Sequence, residues 1–201
     1  SVGELMKAIK AGVKPKKIVF SGVGKTNAEI EYAINKKILL INAESKSEIL
    51  EIEKIAKKKN KVVNIGIRLN PNTDAKTISQ ISTGKKENKF GIPINRAPEV
   101  YALAASLPGI DVIGIDVHIG SQLTDLAPFE EAYLKIAELT VRLREQGHNI
   151  RRLDLGGGLG IPYEKSNLPL PLPSDYGALI KRTLAHLGCE IEIEPGRLIS
   201  G

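Results

Sequence analysis

Short runs of β-branched and apolar residues recur along the chain, and stretches with helical periodicity separate them. No other feature narrows the possible folds as much. Runs at 17–20, 38–41, 62–69, 112–118, 150–155 and 190–194 read as strands. Helical patterns lie at 27–35, 45–59, 96–107, 126–146 and 174–187, after an opening helix over 1–12. The clearest stripe is Phe129, Tyr133, Ile136, Thr140 and Leu143, one face of a helix that Gly147 stops. Apolar strands alternating with helices predict an α/β fold with a parallel sheet, its strands buried on both faces. No Ser/Gly-rich linker or change of composition divides the 201 residues, so one domain is predicted. Long loops are predicted over 70–94, after the third strand, and over 161–174, after the fifth. The carboxyl ends of parallel strands are where α/β sites are built.

Charge and cysteine content exclude several classes. One cysteine, Cys189, forms no internal disulfide, and no Cys/His spacing suits zinc. A reducing, cytoplasmic location is expected. No apolar run is long enough to cross a membrane as a helix, so no membrane partner is expected. The 29 Lys and Arg outnumber the 23 Asp and Glu. They cluster at Lys14, Lys16 and Lys17, at Lys54, Lys57, Lys58, Lys59 and Lys61, and at Lys85, Lys86 and Lys89. With five Tyr, three Phe and no Trp, these runs lack the interleaved aromatics of a nucleic-acid reader and read as solvated helix ends and loops.

Four polar constellations stand at predicted strand ends. Arg68 closes the third strand, either as half of an ion pair or as a ligand-binding guanidinium. His118, followed by Gly120 and Ser121, closes the fourth; it is either a satisfied core histidine or part of an anion-lined pocket. Gly156, Gly157 and Gly158 follow the fifth and either make a tight turn or offer bare backbone N–H groups to a phosphate. Glu194 and Arg197 follow the sixth in Glu-Pro-Gly-Arg: either a surface ion pair, or a carboxylate for a ring nitrogen and a guanidinium for an anion. His148 and His186 lie in helical contexts and read as structural. Ser21-Gly22-Val23-Gly24-Lys25-Thr26 imitates a nucleotide-binding P-loop. That loop needs glycine where Val19 stands, so nucleotide binding is not expected.

Assembled, these residues resemble the alanine-racemase-like, fold-type III pyridoxal-phosphate decarboxylases. The likeness spans essentially the whole chain. It rests on Ser1-Val2-Gly3-Glu4-Leu5, Arg68-Leu69-Asn70-Pro71, Ser82-Thr83-Gly84 with Lys89-Phe90-Gly91, and His118-Ile119-Gly120-Ser121-Gln122. It rests also on Leu153-Asp154-Leu155-Gly156-Gly157-Gly158-Leu159-Gly160 and Glu194-Pro195-Gly196-Arg197. The resemblance implies a (β/α)8 TIM-barrel-like domain, with about six of the eight units present. It implies pyridoxal 5'-phosphate as cofactor and a homodimer acting on a small amino acid, with no nucleic acid. His118 would stack on the cofactor ring and Glu194 would pair with its nitrogen; these two are the expected catalytic residues. Ser121, the loop of Gly156, Gly157 and Gly158 (chiefly Gly158), Gly196 and Arg197 would hold the phosphate. Arg197 would also reach a substrate carboxylate, and Arg68 would lie near the ring's other edge.

Within the family, the branch that converts meso-diaminopimelate to L-lysine and CO2 is the most similar. Sister decarboxylases of ornithine, arginine or carboxynorspermidine, and non-catalytic cofactor-binding barrels, are the alternatives. The family attaches its cofactor through a lysine on an early barrel strand and carries a following β-domain. Neither matches a segment here, so the chain reads as an internal part of such a protein. Its open sheet edges make aggregation of the isolated chain an expectation. Asp116 stands where relatives often carry a second histidine.

Overall fold

The computed structural model describes residues 1–73, 90–163 and 170–200. The predicted Ser82-Thr83-Gly84 motif, with Lys85, Lys86 and Lys89, lies outside the described residues, as does most of the 70–94 loop and part of the 161–174 loop.

Every predicted strand and helix is present. The strands are β1 (Val19–Phe20), β2 (Leu40–Ala43), β3 (Val63–Asn70), β5 (Ile110–Val117), β6 (Arg152–Asp154) and β7 (Glu190–Glu192). A two-residue β4 (Ile92–Pro93), not expected from the sequence, pairs with the end of β3. The six longer-range neighbours run in the order β1-β2-β3-β5-β6-β7, each pair parallel. The helices are α1 (Val2–Lys10), α2 (Asn27–Lys36), α3 (Lys46–Lys58), α4 (Ala97–Ala105), α5 (Ala127–Glu145), α6 (Pro173–Leu184) and a single turn α7 (Arg197–Ser200).

Local chemistry sets the helix starts. Ser1, Thr26 and Ser45 cap α1, α2 and α3 by accepting from the backbone N–H three residues on. In α4, α5 and α6 a proline occupies the first turn, where its missing N–H has no cost. The α5 stripe of Phe129, Tyr133, Ile136, Thr140 and Leu143 is fully buried, as its spacing predicts. Removing one of the fully buried sheet isoleucines, Ile65 or Ile67, down to alanine would cost about 2–5 kcal/mol.

The strands are not uniformly apolar, which corrects the expectation of two apolar faces. In β3, Val63, Ile65, Ile67 and Leu69 are buried in the hydrophobic core, while Asn64, Gly66, Arg68 and Asn70 alternate onto the other face. A register shift between Ile65 and Gly66 leaves Ile113 without a partner and rephases β5. Gly114 and Asp116 then fall opposite Gly66 and Arg68. The ladder continues this row through Asp154 and Glu192, so Arg68, Asp116, Asp154 and Glu192 stand side by side on four adjacent strands.

The sheet curls enough for this face to close on itself. Asn42 of β2 donates to Asp154 of β6 at 2.8 Å, and Ser21, just after β1, donates to Glu194, just after β7, at 3.0 Å. These contacts join edge to edge across the carboxyl ends of the strands, giving a curved α/β half-barrel in keeping with the TIM-barrel-like fold that the resemblance implies. Gly66 makes room for the crossing: a Cβ there would overlap the Asn42 amide oxygen.

Candidate functional site

Two residues beyond the Arg68–Asp116–Asp154–Glu192 row stand Asn70, which ends β3, and His118, Gly156 and Glu194, just past the ends of β5, β6 and β7. The site is thus the next layer of the same register. The β6–β7 ladder carries on into it, since Glu194 N–H donates to the Gly156 carbonyl at 2.8 Å.

The glycine run is pressed between two neighbouring loops. Gly156 has φ +63° and its N–H donates to Asp154 Oδ1 at 3.0 Å. A Cβ on Gly157 would overlap the Glu194 carbonyl oxygen, and one on Gly158 would overlap that of Gly120. Bare backbone is required here by packing. Leu123 N–H donates to the Gly158 carbonyl at 2.8 Å, which ties the run to the loop after β5.

His118 accepts a hydrogen bond at Nδ1 from Gly157 N–H, at 3.2 Å. A nitrogen that accepts carries no proton, so the ring is a neutral imidazole with its N–H at Nε2. Desolvation, and then the positive charge of Arg68, push its pKa below the ordinary value, in agreement with that assignment. Arg197 Nε donates to the Tyr163 hydroxyl at 2.7 Å, and its Nη1 donates to the Ser121 hydroxyl. Its contacts are hydroxyls rather than carboxylates, which corrects the alternative of a Glu194–Arg197 surface ion pair. Glu194 stands at the rim, yet the surrounding protein desolvates its carboxyl. That desolvation and the nearby Asp154 raise its pKa, against the opposing pull of the Ser21 hydroxyl and Arg68.

These groups enclose a cavity of about 270 Å³. His118, Ser121, Gly156, Gly157, Gly158, Glu194, Gly196 and Arg197 all line it, and Tyr176 and Ile180 of α6 supply an apolar wall. Tyr176 is held there by a 2.6 Å hydrogen bond to Tyr133 of α5. Arg68 does not line this cavity. It lines a neighbouring one of about 310 Å³, with Phe90 and Asn70, and His118 and Ser121 border both. Arg68 donates to Glu44 at 2.7 Å and lies 5.7 Å from the Phe90 ring centre.

Sequence reasoning missed Ser21, Asn42, Glu44, Asp154, Tyr163 and Tyr176. Ser21 lies in the segment set aside as a P-loop imitation. Lys25 of that segment gives its protons to the Gly22 and Asn42 carbonyls and to Glu48, which leaves it no role with a phosphate. His148 packs edge-on against Tyr101, as a structural histidine does. Among the described residues no cluster of His, Cys, Asp and Glu could hold a metal ion, and no helix is long and apolar enough to cross a membrane.

The arrangement suits an aromatic phosphate ester. A guanidinium held only by hydroxyls, with the Gly158 backbone beside it, answers a phosphate; the Gly156 and Gly157 N–H groups are spent on Asp154 and His118. A neutral imidazole offers a flat face, and a carboxyl across the cavity answers a ring N–H. The Gly196 N–H donates to the Glu194 carbonyl at 2.9 Å, and the open space where a Gly196 Cβ would stand leaves room beside Arg197.

Comparison with known proteins agrees. The chain is 50% identical over 201 residues to the diaminopimelate decarboxylase of Vibrio cholerae, covering all of this chain and 48% of that protein. It is 47% identical to the Haemophilus influenzae diaminopimelate decarboxylase over the same span, again 48% of the relative. The crystal structure of diaminopimelate decarboxylase from Helicobacter pylori complexed with L-lysine superposes with a TM-score of 0.92 at 45% identity, covering 99% of this chain and 50% of that one. The chain spans about half the length of the curated relatives it matches. Residues 1–201 match the sequence family described as pyridoxal-dependent decarboxylase, pyridoxal binding domain, and to that family the chain belongs.

Proposed function

We propose that this chain is the cofactor-cradling part of a decarboxylase that converts meso-diaminopimelate to L-lysine and CO2. The observation that carries the reading is the convergence of Arg197, Ser121, the glycine run, His118 and Glu194 on one cavity. Identity of 50% to a diaminopimelate decarboxylase supports the substrate.

Pyridoxal phosphate, when bound, supplies the electron sink that decarboxylation requires. The chain's residues hold and tune it. Arg197 and Ser121 bind the phosphate with charge-assisted hydrogen bonds, beside the backbone of Gly156, Gly157, Gly158 and Gly196. The neutral His118 ring would lie against one face of the cofactor. Glu194 would keep a proton on the ring nitrogen, and Arg68 would act from the adjoining cavity that His118 also borders, toward the ring's other edge. Arg197, exposed at the rim, also meets a substrate carboxylate. Among the described residues no lysine lines the cavity. The amine that holds the cofactor's aldehyde is accordingly assigned to none of the described lysines. We infer further that residues 1–201 form one partial barrel domain of a homodimeric cytoplasmic enzyme.

The test is a chimera in which this chain replaces the matched half of the Vibrio cholerae enzyme. Release of CO2 from meso-diaminopimelate, with lysine appearing by mass spectrometry and Arg197→Ala abolishing turnover, is expected. Release from ornithine or arginine instead would redirect the assignment to a sister decarboxylase. Cofactor binding without CO2 from any of them would make the chain a non-catalytic barrel.

A further inference from the structure

Ser21 lies 173 residues from Glu194 in sequence, yet its hydroxyl is 3.0 Å from Glu194 Oε1. The direction of that hydrogen bond is fixed from behind. Asn42 is fully buried, and its side-chain nitrogen has two protons. One goes to Asp154 Oδ2 at 2.8 Å and the other to Ser21 Oγ at 3.0 Å. Flipping the amide would set its oxygen against the Asp154 carboxylate, which the donors forbid. With its oxygen accepting from Asn42, Ser21 turns its single proton to Glu194.

The support under Ser21 is rigid. Lys25, whose side chain is 2% exposed, bonds the Gly22 carbonyl at 2.7 Å, the Asn42 carbonyl at 2.7 Å and Glu48 at 2.9 Å. The loop after β1 is thereby pinned to β2 and α3. One chain of donors then links the ends of β1, β2, β6 and β7.

We infer that Ser21 is a positioning residue for the carboxylate that faces the cofactor's ring nitrogen. It immobilises Oε1 of Glu194 and leaves Oε2 to accept the ring N–H. The inference rests on the reading of Glu194 given above. The surroundings make such a donor necessary. Asp154 on β6, Glu192 on β7 and Asp116 on β5 all face Glu194 with carboxyl groups, and Arg68 on β3 is the opposing cation. A hydroxyl proton delivered to Oε1 favours the ionised carboxylate against them.

The test is read on the 201-residue chain without cofactor. With carboxyl-¹³C glutamate incorporated, the Glu194 resonance is assigned by its loss in Glu194→Gln and titrated by NMR. Ser21→Ala is expected to raise the Glu194 midpoint by about one pH unit, the size of one hydrogen bond to a charged group. Ser21→Thr, which keeps the hydroxyl, restores it. Should Ser21→Ala melt early, Ser21→Cys, a weaker donor, shifts the midpoint less in the same direction. An unchanged midpoint in both Ala and Cys variants overturns the inference. Pyridoxal-phosphate affinity at neutral pH separates it from the reading beneath. Glu194→Gln and Ser21→Ala are both expected to weaken binding, with Ser21→Thr near wild type. A shifted midpoint with affinity indifferent to Glu194→Gln would leave Ser21 positioning the carboxylate but remove that carboxylate from the ring nitrogen, and the cofactor role with it.

Discussion

Arg68 and Asp116 are ladder partners on β3 and β5, yet they are not a close ion pair. The Arg68 Nε lies 3.9 Å from Asp116 Oδ2, while its Nη1 is spent on Glu44 at 2.7 Å. Asp116 is thus a buried carboxyl whose neighbours Asp154, Glu194 and Glu44 oppose its ionisation. Burial, then Asp154, hold its pKa well above the ordinary carboxylate range.

A carboxyl raised by folding contributes stability that is complete below its unfolded value and is lost as pH rises through the folded one. Asp116→Asn removes that dependence. The variant is expected to be more stable than the wild type at neutral pH by about 1 kcal/mol or more. The difference should shrink as pH falls toward 4. Thermal melts across pH check it, and an advantage that grows on acidification would contradict the burial argument.

His118 carries the opposite sign. Its pKa is lowered, so it favours the fold above its unfolded value of about 6.5 and loses that contribution on acidification. His118→Gln should therefore flatten the loss of stability below pH 6.5. NMR of the ring is expected to show the Nε2–H tautomer at neutral pH.

Two glycines should separate packing from binding. Gly157→Ala drives a Cβ into the Glu194 carbonyl, which is backbone and cannot rotate away, and is expected to cost about 1–3 kcal/mol. Gly196→Ala meets nothing within 4 Å and needs no left-handed backbone, so the fold should be unaffected. A Gly196→Ala chain with wild-type melting and several-fold weaker cofactor binding is the expected pair of results, read by calorimetry.

Lys25→Met leaves Glu48 buried beside an apolar chain and should cost about 3–5 kcal/mol. Adding Glu48→Gln should recover part of that loss, because the orphaned charge goes with it. Urea denaturation of the two variants measures the difference.

Much of this site is legible in the sequence because each polar group closes an apolar strand. His118, Gly156–Gly158, Glu194 and Arg197 announce themselves in that way, and the structure brings them to one cavity. Arg68 also closes a strand, but its side chain turns to the adjoining cavity, and strand position alone does not tell one from the other. Ser21 and Asn42 carry no local signal: their partners lie 173 and 112 residues away, and only the curl of the sheet joins them. The inward row carries no local signal either: Gly66 leaves the space that the Asn42 side chain occupies, a neighbour that only the sheet brings beside it. The short β4 and α7 have too few residues to show a period.

The central claim is that this chain cradles pyridoxal phosphate through Arg197. Titration of the 201-residue chain with pyridoxal phosphate, followed by borohydride reduction and peptide mapping, tests it most directly. The account predicts one-to-one binding that Arg197→Ala weakens at least tenfold, about what losing a charge-assisted hydrogen bond costs. It predicts lysines labelled without preference. Affinity indifferent to Arg197→Ala, with a single stoichiometric adduct on one described lysine, would contradict both the phosphate cradle and the assignment of the cofactor's amine to none of the described lysines.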